Sequence, residues 1–358
     1  MLKVGLIQMR CSINREENID RAEMKVREAA QKGAKIICLP EIFTTVYFCQ
    51  VEDHKYFKLA EEIPGPTIAR FARLAAEIDA VYIASPVQAH HAQALACAKA
   101  GKHVFCEKPL GRSVAEAEEM AAGCRQAGAR FGTAFMMRFH TQHRAAAKLI
   151  QEGRLGKPAY ARAQLSCWYP PRSSAFRQDP ALGGGGSLID MGSHCIDLLE
   201  MFFRPLKRVS CFTNNTVHAY ASEDSAVALL HFANGALGTV DTFFCIPDDS
   251  SRNALELYGS KGSILATGTI GQGSQGSMTA YLQSEDVAFD PQQRRATGHG
   301  EEITPEPMNT YQAEIEVFSA ALLEGKADPL DAEAGLHSQK VMAACYESAR
   351  TGRALAIP

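Results

Sequence analysis

The first 137 residues alternate between short apolar runs and amphipathic stretches. Val4–Met9, Lys35–Pro40 (KIICLP), Ala80–Pro86 (AVYIASP), His103–Pro109 (HVFCEKP) and the run RFGTAF read as buried strands. Between them, Asn18–Gln31, Thr67–Ile78, Ala89–Ala100 and Val114–Ala127 carry helical spacing, with Gly33 and Gly101 placed as C-terminal stops. This alternation predicts a parallel sheet covered on both faces. From about residue 138 the pattern changes. Phe139–Gln151 is helical, and longer alternating strands follow at 159–169, 209–220, 225–233 and 236–245. Little helix separates the last three, which predicts an open antiparallel sheet. Asn234-Gly235 between two strands is a hairpin signal. Residues 267–278, rich in Gly, Ser and Gln, read as a flexible surface loop, and helices near 308–324 and 331–351 close the chain.

Composition narrows the class. A chain of 358 residues has room for two domains, each with its own core. Net charge is -3 with no basic tract, so no nucleic-acid partner is expected. No apolar run approaches the roughly 20 residues that cross a bilayer, and no secretory signal is visible. The 11 cysteines form no Cys-x-x-Cys pair and several lie inside apolar runs, such as Cys38 and Cys106. They read as buried, reduced thiols of a cytoplasmic protein without a metal site.

Two stretches carry candidate chemistry. In GKHVFCEKPLG, Glu107 and Lys108 stand at the carboxyl end of a parallel strand, where ligands of such sheets bind. In GGGGSLIDMGSHCIDLLEMF, Asp190 and His194 are four apart at a helix start, and Asp197 is one turn further on. The run Gly183–Gly186 admits close approach of a ligand or of another chain segment. These residue types suit alcohol oxidation. A histidine takes the hydroxyl proton, a carboxylate orients it or holds a substrate hydroxyl, and an ammonium stabilises the developing alkoxide.

From about Asp79 onward the chain resembles the Gfo/Idh/MocA family of NAD(P)-dependent oxidoreductases. The resemblance rests on DAVYIASPVQAHHAQALACAKAGKHVFCEKPL, GTAFMMRFHTQHRAAAKLIQEGRLGKP, GGGSLIDMGSHCIDLLEMFF, YQAEIEVFSAALLEGK and CYESARTGRAL. It implies an α/β N-terminal domain with a Rossmann-like parallel sheet, followed by an α+β domain with an open antiparallel sheet. It implies Lys108, Asp190 and His194 as the catalytic group, and Ser85, Pro86 and His90, with Glu107 and Lys108, beside NAD or NADP. It also implies a sugar, inositol or related polyol as substrate, no metal, and a homo-oligomer formed through the C-terminal sheet.

The first 78 residues resemble a different group. KVGLIQMRCS, NIDRAEMKVREAAQKGAKIICLPEIF, TTVYFCQVEDHKYFKLAE and IPGPTIARFARLAAE are similar to carbon–nitrogen hydrolases of the nitrilase superfamily, with closest likeness to N-carbamoylputrescine amidases. Glu41 stands where that family keeps a general-base glutamate, but no matching Lys and nucleophilic Cys motifs follow. One third of a triad does not hydrolyse an amide by the covalent route. The chain therefore reads as three pieces: 1–78 hydrolase-like, 79–137 the rest of the dinucleotide-binding domain, and 138–358 the substrate and oligomerisation domain. Where a dinucleotide fold keeps Gly-x-Gly-x-x-Gly, this chain has Gln8, Met9 and Arg10, whose side chains crowd a pyrophosphate. Arg10 either offers charge to a phosphate or is a surface residue. Glu41 falls roughly where an acidic residue holds a ribose 2′-hydroxyl. Weak or lost cofactor binding is the expectation, with a catalytically silent oligomeric or ligand-binding protein as the alternative to the dehydrogenase.

Other residues carry less. Trp168, Tyr169, Arg172 and Arg177 precede the glycine run and either contact sugar hydroxyls or pack a surface loop. His140, His143, His218 and His231 lack ligand spacing and read as structural or exposed.

Overall fold

A computed structural model describes residues 3–39, 44, 66–67, 70–71, 79–173, 175–283, 299–326 and 328–357. Glu41 and most of the helix expected at Thr67–Ile78 lie outside the described residues. The chain divides into two compact units. One holds residues 1–111, 115–134 and 315–336; the other holds 112–114, 135–314 and 337–358.

The first unit is built from β1 (Lys3–Leu6), α1 (Arg15–Gln31), β2 (Ala34–Cys38), β3 (Ala80–Ile83), α2 (Val87–Lys99), β4 (His103–Glu107), α3 (Val114–Gln126) and β5 (Phe131–Ala134). β3, β4 and β5 form a parallel ladder with Ala80 opposite His103 and Val104 opposite Phe131. Val104, Phe105 and Cys106 are buried in succession, so the central strand is covered on both faces. α1 buries Asn18, Ile19, Ala22 and Val26, a single stripe at helical spacing. β1 pairs with β2 in parallel, and β2 lies alongside β3. Among the described strands, β1 is therefore at the edge.

The second unit carries a nine-stranded sheet. Its strands are β6 (Pro158–Ser166), β7 (Leu206–Asn214), β8 (Ser225–Phe232), β9 (Leu237–Phe243), β10 (Ala254–Gly259), β11 (Gly262–Thr267), β12 (Ser277–Leu282), β13 (Glu301–Glu302) and β14 (Leu355–Ala356). The order is β13-β12-β11-β10-β6-β9-β8-β7-β14. The sheet is mixed rather than purely antiparallel, because β6 pairs β9 in parallel from Tyr160–Leu237 to Ser166–Phe243. The hairpin at Asn234-Gly235 forms: Gly235 takes φ 89°, and the Asn234 side chain accepts from the Ala236 N–H at 2.9 Å.

One face of this sheet is the core. Ala161, Ala163, Val209, Ala228, Leu230, Val240, Leu255 and Leu257 meet Ile196, Leu199 and Phe203 of α5 (Ser193–Phe203). Helix α4 (Thr141–Gln151) starts two residues later than its pattern suggests, after a 3-10 turn at Met136–Phe139. The other face leaves Phe212, Leu229 and Leu237 more than half exposed, around a bidentate pair of Arg162 with the buried Asp241 at 3.0 and 3.1 Å.

The stretch 267–278 is mostly an exposed loop, as its composition suggests, but it is anchored at two positions. Thr269 and Ile270 are buried, and β12 begins at Ser277. His143 holds this stretch: its Nδ1 donates to the Met137 carbonyl at 2.8 Å and its Nε2 accepts from the Thr269 hydroxyl at 3.0 Å. His140 Nε2 lies 3.3 Å from the Gln275 carbonyl. Both histidines are structural. Thr269 and Ile270 are anchored here because a neighbouring helix supplies the hydrogen-bond partner of Thr269.

Candidate active site

In the first unit, the residues expected beside a cofactor gather beyond the carboxyl ends of β3 and β4. The buried His90 ring, on the first turn of α2, bridges the Ser85 carbonyl at 2.7 Å and the Pro109 carbonyl at 3.0 Å. Burial draws its pKa below the usual histidine range, although the backbone hydrogen bonds act the other way. A neutral ring donates to one of these two carbonyls, and its placement packs the turn after β3 against the Glu107-Lys108-Pro109 loop after β4. Glu107 ends β4 and is fixed by the Tyr82 hydroxyl, which donates to Oε1 at 2.5 Å, and by the Lys108 N–H at 3.2 Å.

In the second unit, Asp190 lies in a π-helical turn, Leu188–Gly192, and His194 lies in the first turn of α5 that follows. Irregular turns of this kind recur at functional sites. Arg177 Nε is 3.0 Å from Asp190 Oδ2. The Arg177 guanidinium also stacks 4.5 Å above the Phe176 ring. The Phe135 and His194 rings meet edge to face at 6.4 Å, and the Arg138 guanidinium lies 5.5 Å from the Phe135 centroid. Arg138 continues to the buried Asp197, with Nε donating to Oδ2 at 2.8 Å. Burial raises the Asp197 pKa while Arg138 opposes the rise. The charge of Arg138 is thereby matched one helical turn beyond His194.

The glycine run serves another chain segment. A Cβ on Gly186 would stand 2.0 Å from the Glu223 carbonyl oxygen, and one on Gly185 2.0 Å from the Tyr346 hydroxyl. The Glu223 side chain accepts from the N–H groups of Gly186 and Leu188, both at 2.9 Å, and from Tyr346 at 2.8 Å. This buried carboxylate anchors the backbone entering the π turn. Sequence reasoning missed Phe135, Arg138, Glu223 and Tyr346, because they come from distant segments. Only the position of Asp197, three residues past His194, hinted at a further partner.

Of the other candidates, Trp168 is partly exposed and packs edge-on against His218 at 4.8 Å; Tyr169 packs on Phe244. Arg172 is exposed. His218 is buried, with Nε2 3.1 Å from the Phe244 carbonyl, and His231 is exposed.

The turn between β1 and α1 bears on cofactor fit. Asn14 caps the helix by accepting from the Glu17 N–H at 3.2 Å. The Asn18 side chain accepts from the Ser12 N–H at 2.8 Å and donates to the Ser12 carbonyl at 2.7 Å. Glu16 and Glu17 occupy the first turn. The residues after β3 and β4 fit a nicotinamide nucleotide at the ends of parallel strands; the β1–α1 turn does not fit a pyrophosphate.

Two family models match the chain. An oxidoreductase family with an NAD-binding Rossmann fold matches residues 21–135, and the GFO/IDH/MocA C-terminal domain matches residues 143–265. The fold and site therefore define a two-domain nucleotide-dependent oxidoreductase. The chain belongs to the Gfo/Idh/MocA family and is an NAD(P)-dependent dehydrogenase of that family. The NAD-binding match takes in residues 21–78, most of the segment whose motifs resemble hydrolases. Relatives include 1,5-anhydro-D-fructose reductase of Ensifer adhaerens, 29% identical over 284 residues, covering 78% of this chain and 80% of that protein. Myo-inositol 2-dehydrogenase of Thermotoga maritima is 30% identical over 225 residues, covering 57% of this chain and 64% of that protein. The structure of aldose-aldose oxidoreductase from Caulobacter crescentus, complexed with glycerol, aligns at a TM-score of 0.71 with 25% identity, covering 80% and 82% of the two chains. Levoglucosan dehydrogenase, in complex with NADH and levoglucosan, shares the fold at a TM-score of 0.70 with 20% identity over 100% and 99%. No described helix is long and apolar enough to cross a membrane.

Proposed function

We propose that this dehydrogenase oxidises a secondary alcohol of a sugar, an inositol or a related polyol, with NAD or NADP as the hydride acceptor. The carrying observation is the Asp190–His194 pair at the junction of the π turn with α5, inside the matched C-terminal domain. The names of the relatives, a sugar reductase and an inositol dehydrogenase, support the substrate class. His194 takes the hydroxyl proton, Asp190 orients the acceptor or a substrate hydroxyl, and Lys108 polarises the reacting oxygen. Ser85, Pro86, His90 and Glu107 hold the nicotinamide nucleotide.

The front segment enters this reading as a hydrolase-like piece, residues 1–78, whose described strands β1 and β2 stand alongside the β3-β4-β5 ladder. The glycine-free turn supports that origin, and amide hydrolysis is not part of the proposal. The exposed apolar positions Phe212, Leu229 and Leu237 support pairing of two copies through the outer face of the sheet. The nine cysteines whose side chains are described are free thiols, which suits a reducing compartment such as the cytoplasm.

The test is a screen of the full chain with NAD and with NADP across inositols and aldoses, following reduced nicotinamide. Turnover that disappears in His194→Ala supports the reading. Turnover indifferent to that change, or none on any polyol, refutes it. A catalytically silent ligand-binding protein is the second reading, favoured by the closed β1–α1 turn.

A further inference from the structure

We infer that the nucleotide site of this chain takes the nicotinamide mononucleotide half of the cofactor and draws little binding from the adenosine half. The inference rests on the NAD(P) reading above and narrows it.

A dinucleotide fold gains its pyrophosphate contact at the first strand-to-helix turn. There, glycines let the backbone approach, and free N–H groups at the helix N-terminus face the anion. In this chain the turn is filled by itself. None of residues 7–14 adopts a left-handed backbone, and none is glycine. The Asn14 side chain takes the Glu17 N–H, and the Asn18 carboxamide takes both the N–H and the carbonyl of Ser12. The Ser12 hydroxyl donates to Glu17 Oε2 at 3.0 Å, so a carboxylate stands at the positive end of the helix. Glu16 adds a second one in the same turn. Arg21 Nη1 donates to the Arg10 carbonyl, folding the turn back onto its helix. The two first-turn carboxylates already have arginine partners, Glu17 with Arg21 and Glu16 with Arg70, whose Nη1 is 3.9 Å away, so the turn is closed by its own side chains.

Two independent observations agree. The NAD-binding family match starts at residue 21, past β1 and past this turn. β1 also stands at the edge, with β2 between it and β3. Ligands of open parallel sheets sit beyond the strand ends at a reversal of strand order; among the described residues β1 and β2 form a two-stranded ladder of their own, unpaired with the β3-β4-β5 ladder that carries Ser85 and Glu107. The opposite end keeps its construction: His90 bridges the Ser85 and Pro109 carbonyls and Tyr82 fixes Glu107.

The experiment titrates the full chain by calorimetry with NADH, reduced nicotinamide mononucleotide and ADP-ribose. The inference expects NADH to bind less than tenfold tighter than the mononucleotide, and ADP-ribose not to displace either. NADH binding tenfold tighter or more, or displacement of NADH by ADP-ribose, overturns the inference and leaves the NAD(P) reading intact. Binding of neither reduced ligand at millimolar concentration overturns the reading and the inference together. A Gln8→Gly/Arg10→Gly variant, checked by circular dichroism for folding, is expected to keep mononucleotide affinity within threefold. A tenfold loss of mononucleotide affinity in that folded variant also overturns the inference, since the turn would then serve the half it is said to miss.

Discussion

Arg177 Nε lies 3.0 Å from Asp190 Oδ2, so the carboxylate four residues before His194 is paired with a guanidinium. Arg177 comes from the loop after β6, whereas Asp190 belongs to the π turn. The pair fixes where one carboxylate oxygen points. The contact is an ion pair, in which the Arg177 charge lies against one carboxylate oxygen. Arg177→Gln is expected to lower kcat/KM by roughly 10–100-fold through misplacement of Asp190. Arg177→Lys should recover only part of it, because an ammonium keeps the charge but loses the planar stacking on the Phe176 ring. Added guanidinium ion should raise the activity of Arg177→Gln. Activity equal to wild type in Arg177→Gln would remove the pair from the mechanism.

Lys108 is the candidate cation of the first unit. Lys108→Met keeps the stem and deletes the charge. If the ammonium acts on the reacting oxygen, turnover should fall by at least ~100-fold. Steady-state kinetics on the best polyol found decides it. Unchanged turnover takes Lys108 out of the chemistry.

Gly186→Ala tests the glycine run. The added methyl would meet the Glu223 carbonyl oxygen at 2.0 Å, a backbone atom that cannot rotate away. Overpacking at such a site costs about 1–3 kcal/mol. Urea unfolding should show a lower midpoint at unchanged slope. A midpoint equal to wild type would show that the strand carrying Glu223 yields.

His143 gives a pH dependence. Burial pushes its pKa down to about 3, against the Met137 backbone hydrogen bond, which raises it. The unfolded chain takes up this proton near pH 6.5 and the folded chain does not. Stability is therefore fully present above about pH 6.5 and is lost as pH falls below it. From pH 7 to pH 5 the loss from this group is about 2 kcal/mol. His143→Gln should unfold more easily at pH 7, yet lose less on acidification. Equal pH slopes in urea titrations of the two proteins would count against it.

Much of the architecture was legible along the chain. Strand and helix periods placed β1 to β5 and the described helices α1 to α3 to within a few residues, since parallel strands buried on both faces are short and wholly apolar. The Lys108 loop and the Asp190–His194 spacing were visible for a similar reason: each is a local pattern next to an element end. The chain was silent where distant segments decide. Residues 267–278 form the surface loop their composition predicts, but composition could not show that His143 would anchor Thr269 within it. The short connections between β7, β8 and β9 correctly predicted antiparallel neighbours, whereas nothing along the chain showed that β6 would join β9 in parallel.

The sequence by itself determined the period of each element, the loss of glycine from the first turn, and which titratable groups stand beside a helix start. Those are properties of neighbours within four or five residues, fixed by backbone geometry. Only the tertiary structure decided that Glu223 and Tyr346 claim the glycine run, that Arg177 claims Asp190, and that Arg138 and Asp197 neutralise each other. Burying a charge or a polar group demands a partner, and which partner arrives is set by how strands and helices far apart in the chain come to pack.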